Sequence, residues 1–162
     1  MDPAHFTGCE IIDMAIRIEE NGLKFYIDAG KASKTKRLKE IFNYLAEEES
    51  RHMKAFMDLR KLIPDEELSK SIDPYSADDS LYLDALADSE AFTDKRETPT
   101  RKARGEKSAL NLAIAMEKDT ILFYNEMLRM VREKDRPILE KLINEEKAHL
   151  RKLSEHSKTR QR

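Results

Sequence analysis

The chain has 162 residues, 38% of them charged and 7% aromatic, with only four glycines and five prolines; this excludes a turn-rich sheet protein and points to long solvated helices around one core. Thirty basic against 32 acidic residues leave a net charge of −2, which argues against nucleic acid or an anionic membrane surface as partner. The one cysteine, Cys9, excludes a disulfide framework and any four-thiolate zinc or iron centre, and it fits a reducing, cytoplasmic compartment.

The chain opens on Met1-Asp2-Pro3-Ala4-His5, with no basic segment leading into an apolar run, so neither an export signal nor a membrane anchor is expected. Helical spacing of apolar residues then predicts a first helix over about 8–31, with Ile12, Ala15, Glu19, Gly22 and Tyr26 on one face. Gly30 is positioned to end it, and Thr35 to cap a second helix over about 36–62. The inward stripe of that second helix reads Leu38, Phe42, Leu45, Glu49, His52, Phe56, Leu59. Residues 63–106 hold three of the five prolines and many Ser, Thr and Asp, and read as a long crossover. Within it, Leu81 to Phe92 has the spacing of a short helix, and the basic run from Lys95 to Lys107 reads as a solvated segment.

A third helix is predicted over about 107–132, with Leu110, Ala113, Glu117, Thr120 and Tyr124 inward. Asp135 then serves as N-cap ahead of Pro137 for a fourth helix over about 136–157, with Leu139, Leu142, Glu146, His149 and Leu153 inward. Short links make each consecutive pair an antiparallel hairpin. The expected architecture is therefore an all-α four-helix bundle: two antiparallel helical hairpins joined by a long crossover containing a short helix, in one domain spanning 1–162.

The two hairpins repeat one another. Glu19 and Tyr26 match Glu117 and Tyr124 at an offset of 98 (117 − 19, 124 − 26), while Glu49 and His52 match Glu146 and His149 at 97 (146 − 49, 149 − 52). Each hairpin thus brings one Glu and one Glu-x-x-His to the middle of an apolar stripe. Buried unpaired carboxylates cost several kcal/mol each, against a net stability of about 5 to 15 kcal/mol for a whole domain. No Lys or Arg occupies these stripes, and two divalent cations would balance the four glutamates. Glu and His at i and i+3 lie one turn apart and can serve one metal together. Such an oxygen-rich set with one imidazole per metal and no thiolate favours iron or manganese, with zinc possible and copper disfavoured; of these, iron is the expected metal. The ordinary alternative, surface ion pairs, would need the stripes to face water. Tyr26 and Tyr124 read equally as packed core residues and as hydrogen-bond donors to a ligand carboxylate. His5 and His156, near the termini and without repeat partners, read as solvated.

Through Glu19 to Tyr26, Glu47-Glu48-Glu49-Ser50-Arg51-His52, Glu117 to Tyr124 and Glu145-Glu146-Lys147-Ala148-His149, the chain resembles the rubrerythrin-like branch of the ferritin-like di-iron superfamily. The resemblance covers both hairpins and implies a ferritin-like bundle holding two iron ions through Glu19, Glu49, His52, Glu117, Glu146 and His149. It also implies a redox enzyme that reduces hydrogen peroxide or dioxygen as Fe(II) is oxidised, with Tyr26 or Tyr124 donating a hydrogen bond to the bound oxygen species. More distant relatives oxidise and store iron, which gives an alternative: an iron-binding, ferroxidase or storage protein without sustained turnover. A bundle with purely structural metal, such as zinc, is a third reading. Full-length rubrerythrins add a four-cysteine rubredoxin domain as electron donor. With one Cys this chain cannot hold such a domain, so an external donor protein such as a rubredoxin is expected, and a homodimer by the same resemblance. Rubrerythrins carry a further Glu one turn after the third-helix ligand, where this chain has Thr120.

Overall fold

The computed structural model describes residues 8–68 and 105–159. Helix α1 spans Gly8–Ala32 and α2 spans Lys36–Leu62, followed by a single turn of helix, α3, over Asp65–Leu68. Helix α4 spans Glu106–Met127, and after a 3-10 turn at Glu133–Asp135, α5 spans Arg136–Thr159. No strand occurs among the described residues, and none of their helices is long and apolar enough to cross a membrane. The expected short helix at Leu81–Phe92, most of the crossover and His5 lie outside the described residues.

Helix α1 packs along α2 and α4 along α5, and the two hairpins meet through α1 with α4 and α2 with α5. All four stripes read from the sequence face inward. The apolar core splits into two clusters. One joins Ile11, Ile12, Ile18, Phe56, Leu59, Phe123, Tyr124 and Met127 to Leu139, Leu142 and Ile143. The other joins Phe25, Tyr26, Leu38, Phe42 and Leu45 to Leu110, Ala113 and Leu153. Each cluster draws on all four long helices, and the Glu and His residues of the stripes lie between the two in sequence.

Three local expectations are corrected. Thr35 sits at the N-cap of α2 with extended backbone but makes no side-chain cap bond. Its hydroxyl instead donates to Glu106 Oε1, which also accepts from the amides of Lys34 and Thr35 at 2.8 and 2.9 Å. Helix α4 ends at Met127 rather than near 132, because the chain tightens to i−3 bonds, Arg129 N to Glu126 O and Met130 N to Met127 O. His156 is buried rather than solvated, because α5 continues to Thr159 and carries the 149-153-156 stripe inward. Asp135 closes the 3-10 turn just before α5, buried, with its carboxylate accepting from Arg132 Nε.

Candidate metal centre

Mid-helix placement on four facing stripes brings Glu19, Glu49, His52, Glu117, Glu146 and His149 into one layer, each 4% exposed or less. Their donor atoms form two overlapping groups. Glu19, Glu49, His52 and Glu146 offer atoms all within 4.8 Å of one another, and so do Glu49, Glu117, Glu146 and His149. Glu49 and Glu146 belong to both groups, one from each hairpin, which is the arrangement two neighbouring cations with shared carboxylates require.

Both imidazoles turn Nδ1 to the carboxylates. His52 Nδ1 lies 2.6 Å from Glu146 Oε1 and 3.6 Å from Glu19 Oε2. His149 Nδ1 lies 3.2 Å from Glu146 Oε2 and 3.7 Å from Glu117 Oε2. The 2.6 Å approach is not aligned as a hydrogen bond: His52 Nδ1 and Glu146 Oε1 are buried without hydrogen-bond partners, as are Glu19 Oε2 and Glu117 Oε2. His149 Nδ1 and Glu146 Oε2 are within hydrogen-bond reach, but unpartnered donor atoms crowded together in this way fit a common cation between them. Room for the shared Glu49 comes from Gly22, where a Cβ would sit 3.3 Å from Glu49 Cδ.

The tyrosines tie the hairpins together across this layer. Tyr26 of the first donates to Glu117 of the second, and Tyr124 of the second donates to Glu19 of the first. Tyr26 stacks on Phe42, and Tyr124 packs at a tilt on Phe56. Burial, with the nearby Glu117 charge, raises the Tyr26 hydroxyl well above its ordinary range, so it remains a neutral donor.

Without cations the cluster holds protons. Burial pushes Glu19 and Glu49 well above the carboxylate range, reinforced by neighbouring carboxylate charge. Glu117 is pushed to about 8 by burial and by the charge of Glu146. Burial alone would lower the histidines, but Glu146 lifts His52 to about 9, and Glu117 with Glu146 lifts His149 to about 10. Burial would raise Glu146 as well, yet its contacts with His149 and His52 hold it well below the usual range. Protons thus stand where divalent cations would, and binding must displace them.

All eight residues singled out in the sequence come together. Two further carboxylates were missed. Glu145 Oε2 lies 3.0 Å from His52 Nε2, and Glu48 Oε2 lies 3.8 Å from His149 Nε2. The repeat held the signal, since Glu48 and Glu145 are themselves 97 apart (145 − 48) and each directly precedes a shared glutamate.

The rubrerythrin family model matches residues 10–157. A solved structure described as a ferritin-like diiron-carboxylate protein from Thermotoga maritima is similar at 30% identity and a TM-score of 0.75, over 95% of this chain and 96% of that one. No curated protein matches. Four long helices in two hairpins among the described residues, a buried carboxylate and histidine layer, and a family match spanning both hairpins lead to one conclusion: the chain belongs to the rubrerythrin family, with a ferritin-like fold and a metal-binding site.

Proposed function

We propose that this protein is a di-iron oxidoreductase that reduces hydrogen peroxide or dioxygen, with two irons held by Glu19, Glu49, His52, Glu117, Glu146 and His149. The observation that carries the reading is the pair of donor groups sharing Glu49 and Glu146 in a layer between two apolar clusters. The matched structure's description as a diiron-carboxylate protein supports iron over manganese or zinc. Bound there, two ferrous ions supply the two electrons that, with two protons, convert one peroxide to two waters. The chain's own residues set the conditions. Glu49 and Glu146 hold the two positions together, and His52 and His149 each present Nδ1. Tyr26 and Tyr124 fix the outer carboxylates Glu117 and Glu19, and either phenol is a proton donor at the edge of the cluster. The apolar clusters on both sides limit water and strengthen each electrostatic contact.

Repeated turnover needs electrons from a separate protein, for which a rubredoxin-like donor is the proposal. A homodimer, a cytoplasmic setting and a single domain over 1–162 complete the reading. Stopped-flow mixing of anaerobically loaded protein with peroxide tests it: Fe(II) is expected to oxidise much faster than in protein-free buffer, and equal rates would sink the proposal. A second reading, iron binding or ferroxidase action without sustained turnover, is favoured by Thr120, buried on the α4 stripe where rubrerythrins are expected to carry a further Glu. Reduced donor protein separates the two readings: continued peroxide consumption supports the enzyme, and a single round of oxidation supports the alternative. Loading of many irons per assembled particle would indicate storage.

A further inference from the structure

The six core donors repeat between the hairpins, but the surroundings of the two histidines do not. The His52 and His149 rings stack with centroids 5.5 Å apart and face outward through Nε2, each toward a glutamate of the other hairpin. His52 Nε2 is within hydrogen-bond reach of Glu145 at 3.0 Å. His149 Nε2 is 3.8 Å from Glu48 and has no hydrogen-bond partner. A difference lies one turn further along each helix. Arg51 grips the Glu48 carboxylate, whereas the repeat offset of 97 places Ala148 opposite Arg51 (148 − 51). Glu145 has Lys141 Nζ at 3.9 Å, in a pair open to solvent screening.

An imidazole that binds metal through Nδ1 keeps its proton on Nε2. A carboxylate that accepts this proton orients the ring and raises the basicity of Nδ1, and its loss typically costs about 10- to 100-fold in affinity. A carboxylate already neutralised by a guanidinium does this weakly. Glu48, His52 and His149 can also bring ligand atoms within 4.8 Å of one another, but a third cation there would strip the Nε2 protons and leave imidazolates. The hydrogen bond to Glu145 favours the protonated nitrogen instead.

We infer that the two metal positions are inequivalent: the His52 position, backed by Glu145, takes a divalent cation first and more tightly than the His149 position, whose outer carboxylate Glu48 is held by Arg51. The inference rests on the metal-centre reading above and makes Glu145 a positioning residue. Titration with Co(II), followed by calorimetry and visible absorption, tests both levels separately. Two equivalents are expected in two steps, the first about tenfold or more tighter. Glu145→Gln is expected to weaken the first step by about 10- to 100-fold, with Glu48→Gln changing either step far less. Ala148→Arg, at an exposed position, should reproduce the loss at the first step, and Arg51→Ala should tighten the second. Two equivalents of equal affinity in the unmodified chain overturn the inference and leave the metal centre standing. Equal losses from Glu145→Gln and Glu48→Gln do the same, as does a drop in metal-free melting temperature with both affinities unchanged. No Co(II) uptake at all removes the metal centre itself.

Discussion

Gly22 lies on the buried face of α1, mid-helix, where alanine would be favoured by about 1 kcal/mol in helix propensity. Its reason is Glu49: a Cβ there would meet Cδ at 3.3 Å and Cγ at 3.4 Å, so alanine would press on the carboxylate common to both donor groups. Overpacking of this kind costs about 1–3 kcal/mol, and about 1.4 kcal/mol transferred to the ligand is tenfold in affinity. Gly22→Ala is therefore expected to leave the melting temperature of chelator-treated protein unchanged or modestly lower while weakening Co(II) binding about tenfold. Lower stability with unchanged affinity would instead give the glycine a packing role. The tyrosines make a paired prediction. Tyr26→Phe and Tyr124→Phe each strip a donor from a buried carboxylate of the other hairpin, at about 1–3 kcal/mol each. Because the two contacts mirror one another, the two variants should weaken Co(II) binding to similar degrees by calorimetry. A loss of stability alone would reduce both phenols to core packing.

At the level of elements, Glu106 in the first turn of α4 accepts three hydrogen bonds from Lys34 and Thr35 in the α1–α2 turn and so ties one hairpin to the other. The contact is solvent-exposed, so Glu106→Ala is expected to cost about 1 kcal/mol, or about 2–4 °C in melting temperature, with Co(II) affinity unaltered. An unchanged melting curve would mean that water replaces the carboxylate at no cost. This clamp also marks a limit of the sequence reading. Thr35 has the identity of an N-cap, but the partner that diverts its hydroxyl is 71 residues away. The end of α4 was illegible for a similar reason: Leu128 to Arg132 contains no Gly or Pro, and the chain tightens where Leu128, Met130 and Val131 pack against the core. Periodicity, by contrast, located all four stripes, and the offsets of 97 and 98 located the donor layer, because a polar residue in mid-stripe has nowhere to go but inward. His156 was misjudged by weighting its nearness to the terminus over its spacing from Leu153. Glu48 and Glu145 were passed over because one position off the stripe looks like surface, although Glu48 is 8% exposed.

Across the whole molecule, an acidic layer between two apolar clusters makes stability depend on what neutralises it, protons or cations. Glu117 rises from 4.5 to about 8 on folding, so its contribution is complete below pH 4.5 and lost as the pH climbs through 8. His52 and His149 rise from 6.5 to about 9 and about 10, so their contributions are complete below 6.5 and disappear above those values. Glu19 and Glu49, also raised, act in the same direction. Glu146 is lowered and acts oppositely, but its contribution changes only as the pH falls below its ordinary 4.5, so it is constant across the neutral range. Metal-free protein is therefore expected to melt at progressively lower temperature from about pH 5 to about pH 9. Cations reverse the slope of their own effect. They displace the protons as they bind, so the rise in melting temperature on adding Co(II) should grow over the same range, and calorimetry in buffers of different ionisation enthalpy should register proton release. Chelation at the alkaline end is consequently the most destabilising treatment, since it leaves the buried carboxylates with neither kind of counterion. Melting curves with and without chelator at both ends of the range decide the matter, and a metal-free profile that stays flat with pH would mean that these carboxyls are solvated in solution and that the inward acidic layer does not exist.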